Sequence, residues 1–177
     1  EANRKAAGLT TRDQAKTFFY GLIYGAGNQK IGEIVGKNAY AGGKLKNKFF
    51  DNIPAIKMVM DNCAYQVADK KTITLLDGRE VPCRSQHVGL NVQLQGDGAI
   101  VMKLALCILM NKLAKYKGKY ALMATVHDEW QFECCPSIAD NLGKLGCEAI
   151  KEAGERLFCI MPLDGDYRIG KDWSECH

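Results

Sequence analysis

The longest apolar stretch of the chain runs from about Gln95 to Tyr116, where Ile100, Val101, Leu104, Leu106, Ile108 and Leu109 leave almost no polar side. A helix apolar nearly all round is predicted to be buried, and Gly118 ends it. Before it, Ile73-Thr-Leu-Leu76, Asp77-Gly78 and Arg79-Glu-Val81 read as a β-hairpin, with Asp-Gly supplying the positive φ angles of a tight turn. Nearer the start, Thr10 or Thr11 can cap a helix over 12–24 that Gly25-Ala-Gly27 terminates. A glycine-spaced basic stretch then runs from Asn28 to Gly43. Helices are predicted over 43–51, stopping before Pro54, and over 56–67. After the apolar helix, Leu122 to Val126 and Trp130 to Phe132 read as short strands around His127-Asp128-Glu129. A helix over 137–157 and an irregular tail with Asp164-Gly165-Asp166 and Trp173 follow. The predicted class is α+β, helix-rich, with a small antiparallel sheet.

Composition narrows the class of protein. With 177 residues, 47% hydrophobic and 25% charged, the chain matches an ordinary soluble domain, not a disordered tail, a collagen or a mini-protein. No uninterrupted stretch reaches the roughly 18 apolar residues of a membrane span, so no membrane partner is expected. The first residue is Glu1, and EANRKAAGLTT lacks the apolar stretch of a signal peptide. The chain therefore reads as a piece of something longer. Eight cysteines include no C-x-x-C pair; the close pairs are Cys134–Cys135 and Cys176–His177. Cysteines in apolar runs, such as Cys107 between Leu106 and Ile108, are expected to be reduced thiols acting as small hydrophobes.

Charge is graded along the chain. Residues 1–60 hold ten Lys/Arg against four Asp/Glu, 61–120 nine against five, and 121–177 five against eleven. A basic front suits an anionic partner and an acidic back suits bound cations. Solvated surface charge is the alternative. Two glycine patterns are decoys. Gly25-Ala-Gly27 lacks a preceding strand and has Lys30 where a dinucleotide fingerprint needs its third glycine. Gly43-Lys44 has Asn38 for the first glycine of a phosphate loop and Leu45 for the magnesium-holding hydroxyl.

Three constellations carry chemistry. Arg12, Lys16, Tyr20 and Tyr24 are spaced four apart and form one helical stripe roughly 18 Å long. Cations at a helix N-terminus suit phosphates, and aromatic faces suit sugars and bases. Gly25 removes a side chain where a base pair could approach. The alternative is a surface helix with snorkelling cations and half-buried tyrosines. Second, Val126-His127-Asp128-Glu129-Trp130 puts adjacent carboxylates at a hairpin tip, which a hard divalent cation would relieve. Two-ion phosphoryl transfer needs further carboxylates from elsewhere, and a solvated acidic turn is the alternative. Third, Arg84-Ser-Gln-His87-Val-Gly-Leu-Asn91-Val-Gln-Leu-Gln95 enters the apolar helix with Asn91 and Gln95 on one face. Amides there can check minor-groove edges without reading sequence; capping and core hydrogen bonding are the alternative.

Together and in this order, the motifs resemble family A DNA polymerases, with the nearest likeness to the replicative enzymes of short-tailed bacteriophages. Arg12-x3-Lys16-x3-Tyr20-x3-Tyr24-Gly25 is similar to that family's fingers-helix motif. His127-Asp128-Glu129 is similar to its palm hairpin, and Arg84-Ser85-x-His87-x3-Asn91-x3-Gln95 to its minor-groove segment. The phage character rests on Lys16-Thr-Phe, Tyr24-Gly-Ala-Gly27, Asp77-Gly-Arg79 and Trp173-x2-Cys176-His177.

The resemblance implies roles. Arg12 and Lys16 hold the triphosphate, and Lys16 protonates the departing pyrophosphate. Tyr20, the form associated with accepting dideoxynucleotides, packs on the sugar, and Tyr24 and Gly25 border the nascent pair. Asp128 coordinates Mg2+ of a two-ion site, Glu129 supports it, and His127 touches the primer end. Arg84, Asn91 and Gln95 follow the minor groove. Residues 1–70 correspond to fingers and 71–177 to the C-terminal part of the palm. The partners implied are primer-template DNA and deoxynucleoside triphosphates, in the cytoplasm of a bacterial host. The family's other metal-binding aspartate lies in a D-x-S-x-x-E-L-R-like strand before the fingers helix, and nothing of that kind occurs here. Thumb and proofreading exonuclease are also missing. The expectation is a polymerase piece with half a metal site, inactive without an N-terminal fragment or subunit. A catalytically inactive nucleic-acid-binding module and an assembly subunit are the other readings.

Overall fold

The computed structural model describes residues 2–176, so Glu1 and the His177 of the Cys176–His177 pair lie outside the described residues. The α+β class holds. Helices α1 (Ala2–Ala7), α2 (Arg12–Ile23), α3 (Asn28–Ile34), α4 (Ala39–Asn52) and α5 (Pro54–Lys70) precede strands β1 (Thr72–Thr74) and β2 (Glu80–Pro82). Then come α6 (Gly89–Leu113), β3 (Tyr120–Val126), β4 (Glu129–Cys134), α7 (Ala139–Arg156) and α8 (Trp173–Cys176). The strands form two separate antiparallel pairs, β1 with β2 and β3 with β4. The chain divides into two compact units between Gln95 and Gly96.

The first unit is built on aromatic packing. Thr11, not Thr10, caps α2: its extended backbone lets the hydroxyl accept from the Gln14 N–H at 3.2 Å. Ala15, Phe18 and Leu22 turn inward onto Ile31 and Phe49. Phe18 meets Phe49 edge-on at 5.2 Å between centroids. The basic stretch from Asn28 to Gly43 is helical, forming α3 and the start of α4, with the Asn38 side chain accepting from the Ala41 N–H at 3.1 Å. Its glycines serve close packing. A Cβ on Gly42 would stand 2.0 Å from the Asn28 carbonyl oxygen, and one on Gly32 2.2 Å from that of Asn38. Pro54 begins α5, where its missing N–H costs nothing.

The predicted hairpin forms and pairs Ile73 with Val81, but its turn differs. Leu75 N–H donates to the Arg79 carbonyl and Gly78 N–H to that of Leu75, leaving a three-residue loop. Gly78 takes a positive φ of 84° while Asp77 does not. That is a turn closed by one left-handed glycine, in place of a two-residue turn with both angles positive.

In the second unit, Ala105, Ile108, Leu109 and Leu113 of α6 pack on Leu142, Ala149 and Ala153 of α7, with Tyr120, Trp130 and Phe132 alongside. The helix starts at Gly89 after a 3-10 turn over Gln86–Val88, earlier than expected. It is not buried all round: Leu94, Cys107 and Met110 are exposed, because within this chain only one side of α6 finds apolar partners. Cys107 therefore sits at the surface, while Cys63 and Cys83 are buried thiols. The helical run 86–116 is long and apolar enough to cross a bilayer by length and composition alone. Asp97 and Lys103 interrupt it. The irregular tail folds back on α7: the Tyr167 hydroxyl donates to Asp140 at 2.7 Å, and its ring fills the space a Cβ on Gly143 would need.

Candidate functional site

Helix α2 sorts its residues by face. With Ala15, Phe18 and Leu22 inside, Arg12, Lys16, Tyr20 and Tyr24 all point to solvent, the tyrosines 52% and 58% exposed. Lys16, Tyr20 and Tyr24 line one open groove with Thr17, Gly21, Lys30 and Ile34. Arg12 lies one turn before this lining, at the first helical position, where backbone N–H groups have no helical acceptor. Arg12 and Lys16 form no ion pair among the described residues. Sequence reasoning missed Lys30, which adds a second cation to the groove, from α3, while reaching Glu33 at 3.4 Å. Its one signal was membership of the basic stretch.

The end of α2 is fixed by two contacts. Gly25 has φ 76°, and a Cβ there would stand 2.3 Å from the His87 carbonyl oxygen. So within the fold, Gly25 answers to the approach of the His87 backbone. From the other side the Lys46 ammonium donates to the Ala26 carbonyl at 3.2 Å, and partial burial lowers its pKa. Lys46 is twenty positions away in the chain, and no local pattern announces it. Gly25→Ala combines a left-handed penalty of about 1–2 kcal/mol with displacement of backbone. Urea unfolding followed by circular dichroism is expected to show a loss on the order of 3 kcal/mol; an unchanged midpoint would contradict this packing.

The Gly25 contact brings the Arg84–Gln95 run to the end of α2. Arg84 and His87 are exposed, and Asn91 and Gln95 lie on one side of α6. Gln95 is exposed, but Asn91 is half-buried, and its Oδ1 is enclosed without a hydrogen-bond partner. Between them, Gln93 donates to the Thr74 carbonyl at 3.1 Å and ties α6 to β1.

In the second unit, Val126 pairs with Glu129, so His127 and Asp128 alone make the turn. His127 takes φ 52°, a left-handed conformation uncommon outside glycine. His127 and Asp128 are exposed. Glu129 is not at the tip as the sequence suggested: it is a half-buried strand residue accepting a hydrogen bond from the Gln131 amide. Among the described residues no three His, Cys, Asp or Glu side chains gather into a metal-holding group. Asp128 still offers the exposed hard oxygen donors that suit a divalent cation. The structure thus assembles the α2 stripe with the His87 segment in one unit and the His127–Asp128 turn in the other.

Comparison with known proteins agrees with these motifs. Residues 2–175 match the family described as DNA polymerase family A. The chain is 38% identical to the DNA-directed DNA polymerase of Enterobacteria phage T3 and 37% identical to that of Escherichia phage T7, in each case over 99% of this chain and 28% of the relative. It is 25% identical to DNA polymerase I of Bacillus subtilis over 93% of its length, covering 20% of that protein. It therefore spans little more than a quarter of the length of its phage relatives. The solved POL domain of Pol1 from M. smegmatis, in complex with DNA primer-template and dNTP, shares the fold with a TM-score of 0.75 at 18% identity, over 86% of this chain and 30% of that one. The match runs through all three motif regions and nearly every described residue: the chain belongs to DNA polymerase family A.

Proposed function

We propose that this chain is the C-terminal, nucleotide-gripping part of a DNA-directed DNA polymerase that adds deoxynucleotides to a primer 3′ end on a template. One observation carries the reading: in a family A chain, Lys16, Tyr20 and Tyr24 line a single open groove. The phosphates of the incoming nucleotide lie on Arg12 and Lys16, and Tyr20 packs on its sugar. The Lys16 ammonium donates a proton to the departing pyrophosphate. Tyr24 and Gly25 border the new pair. Arg84, Asn91 and Gln95 follow the minor groove. His127 meets the primer end. Asp128 would hold magnesium with Glu129 in support, and the metal, when bound, would supply activation of the attacking oxygen and charge stabilisation of the leaving group. The second aspartate comes from an N-terminal fragment or subunit. Residues 1–70 act as fingers and 71–177 as part of the palm, in the cytoplasm of a bacterial host.

Primer-extension assays test this. The chain alone is expected to extend a primer negligibly; robust extension would refute the divided metal site. In the polymerase completed with its N-terminal part, Lys16→Ala is expected to lower kcat by about 10²-fold or more and to raise KM for the nucleotide. Unchanged kinetics would remove Lys16 from the grip.

A further inference from the structure

A second stripe of cations and a ring lies on α4, separate from the residues lining the α2 groove. Tyr40, Lys44 and Lys48 are spaced four apart on its exposed side, opposite the buried Gly42 and Phe49. Tyr40 is 71% exposed, and the Lys44 ammonium stands 4.7 Å over its ring. The Lys48 ammonium lies against Gly8, 2.3 Å from where a Cβ there would be. Lys37, also exposed, precedes the helix. None of these lysines forms an ion pair among the described residues, although Lys30, Lys57, Lys70 and Arg79 of the same unit all do. The single acid of α4, Asp51, stands at its far end.

Unpaired cations repeating every turn, about 6 Å, beside an exposed ring form a backbone track with a stacking platform. Phosphates along a strand take the lysines, and an unpaired base takes the ring whatever its identity. We propose that the outer face of α4 binds single-stranded nucleic acid through Lys37, Lys44 and Lys48, with a base stacked on Tyr40. This goes beyond the reading of α2 as the nucleotide grip and does not depend on it.

The test is fluorescence anisotropy of the 177-residue chain with a 5′-labelled oligo-dT over a salt series. Lys44→Ala/Lys48→Ala is expected to weaken binding about tenfold and to flatten the slope of log affinity against log salt by about 1.4, near 0.7 per phosphate contact. Tyr40→Ala is expected to weaken binding about fivefold or more, with Tyr40→Phe retaining it. Arg12→Ala/Lys16→Ala and saturating dATP both address α2 and are expected to leave the oligo-dT bound. The proposal is overturned if the α4 double variant keeps affinity and slope, if dATP displaces the strand, or if a blunt duplex competes as well as unlabelled oligo-dT. A loss of oligo-dT binding in Arg12→Ala/Lys16→Ala equal to that in the α4 double variant would likewise overturn it, by placing the strand on α2.

Discussion

Asp128→Ala in the completed polymerase is expected to cut primer extension by about three orders of magnitude while DNA affinity stays within about twofold. The size follows from the charge an ion pair neutralises during phosphoryl transfer, several kcal/mol, at tenfold per 1.4 kcal/mol. The variant is also clean. Asp128 is exposed, stands in the two-residue turn and is not one of the paired positions of the β3–β4 ladder. Removing its carboxylate should alter stability by less than about 0.5 kcal/mol. Extension rates, filter binding to primer-template and a thermal melt together separate the readings. A rate that survives the substitution would favour the inactive binding module over the enzyme.

Phe49→Ala is expected to destabilise the first unit by about 3–5 kcal/mol, a large share of the 5–15 kcal/mol typical of a domain. Phe49 is fully buried and meets three rings, those of Phe18 at 5.2 Å, Phe19 at 6.2 Å and Phe50 at 6.1 Å between centroids. Its loss leaves a void beneath the inner face of α2, so nucleotide binding should fall with stability. Urea unfolding monitored by circular dichroism gives the value. A change below about 1 kcal/mol would mean that the ring cluster relaxes to fill the space.

What could be read from the residues alone depended on how local each determinant is. The α2 stripe was legible because a cap, a helical repeat and a terminating glycine lie within fifteen residues. The β3–β4 turn was legible because its strands flank it directly. Helix α3 was not, since Gly32 and Gly42 read as breaks along the chain yet serve contacts with the carbonyls of Asn38 and Asn28 across a helix pair. The exposure of one side of α6 escaped because apolar composition reports what a helix could bury, not whether a partner is there. Glu129 was misplaced by a single position of strand register, enough to turn a tip carboxylate into a half-buried one. Lys46 and Lys30 act across elements, and no spacing rule reaches them.

The close approach of Gly25 to the His87 carbonyl also bears on inheritance. A chimaera that imports the α2 turn from a relative with any side chain at that position, or shortens the 84–88 segment by one residue, breaks a fit that neither parent lacks. These two stretches, some sixty residues apart, are therefore expected to travel together when such polymerases recombine.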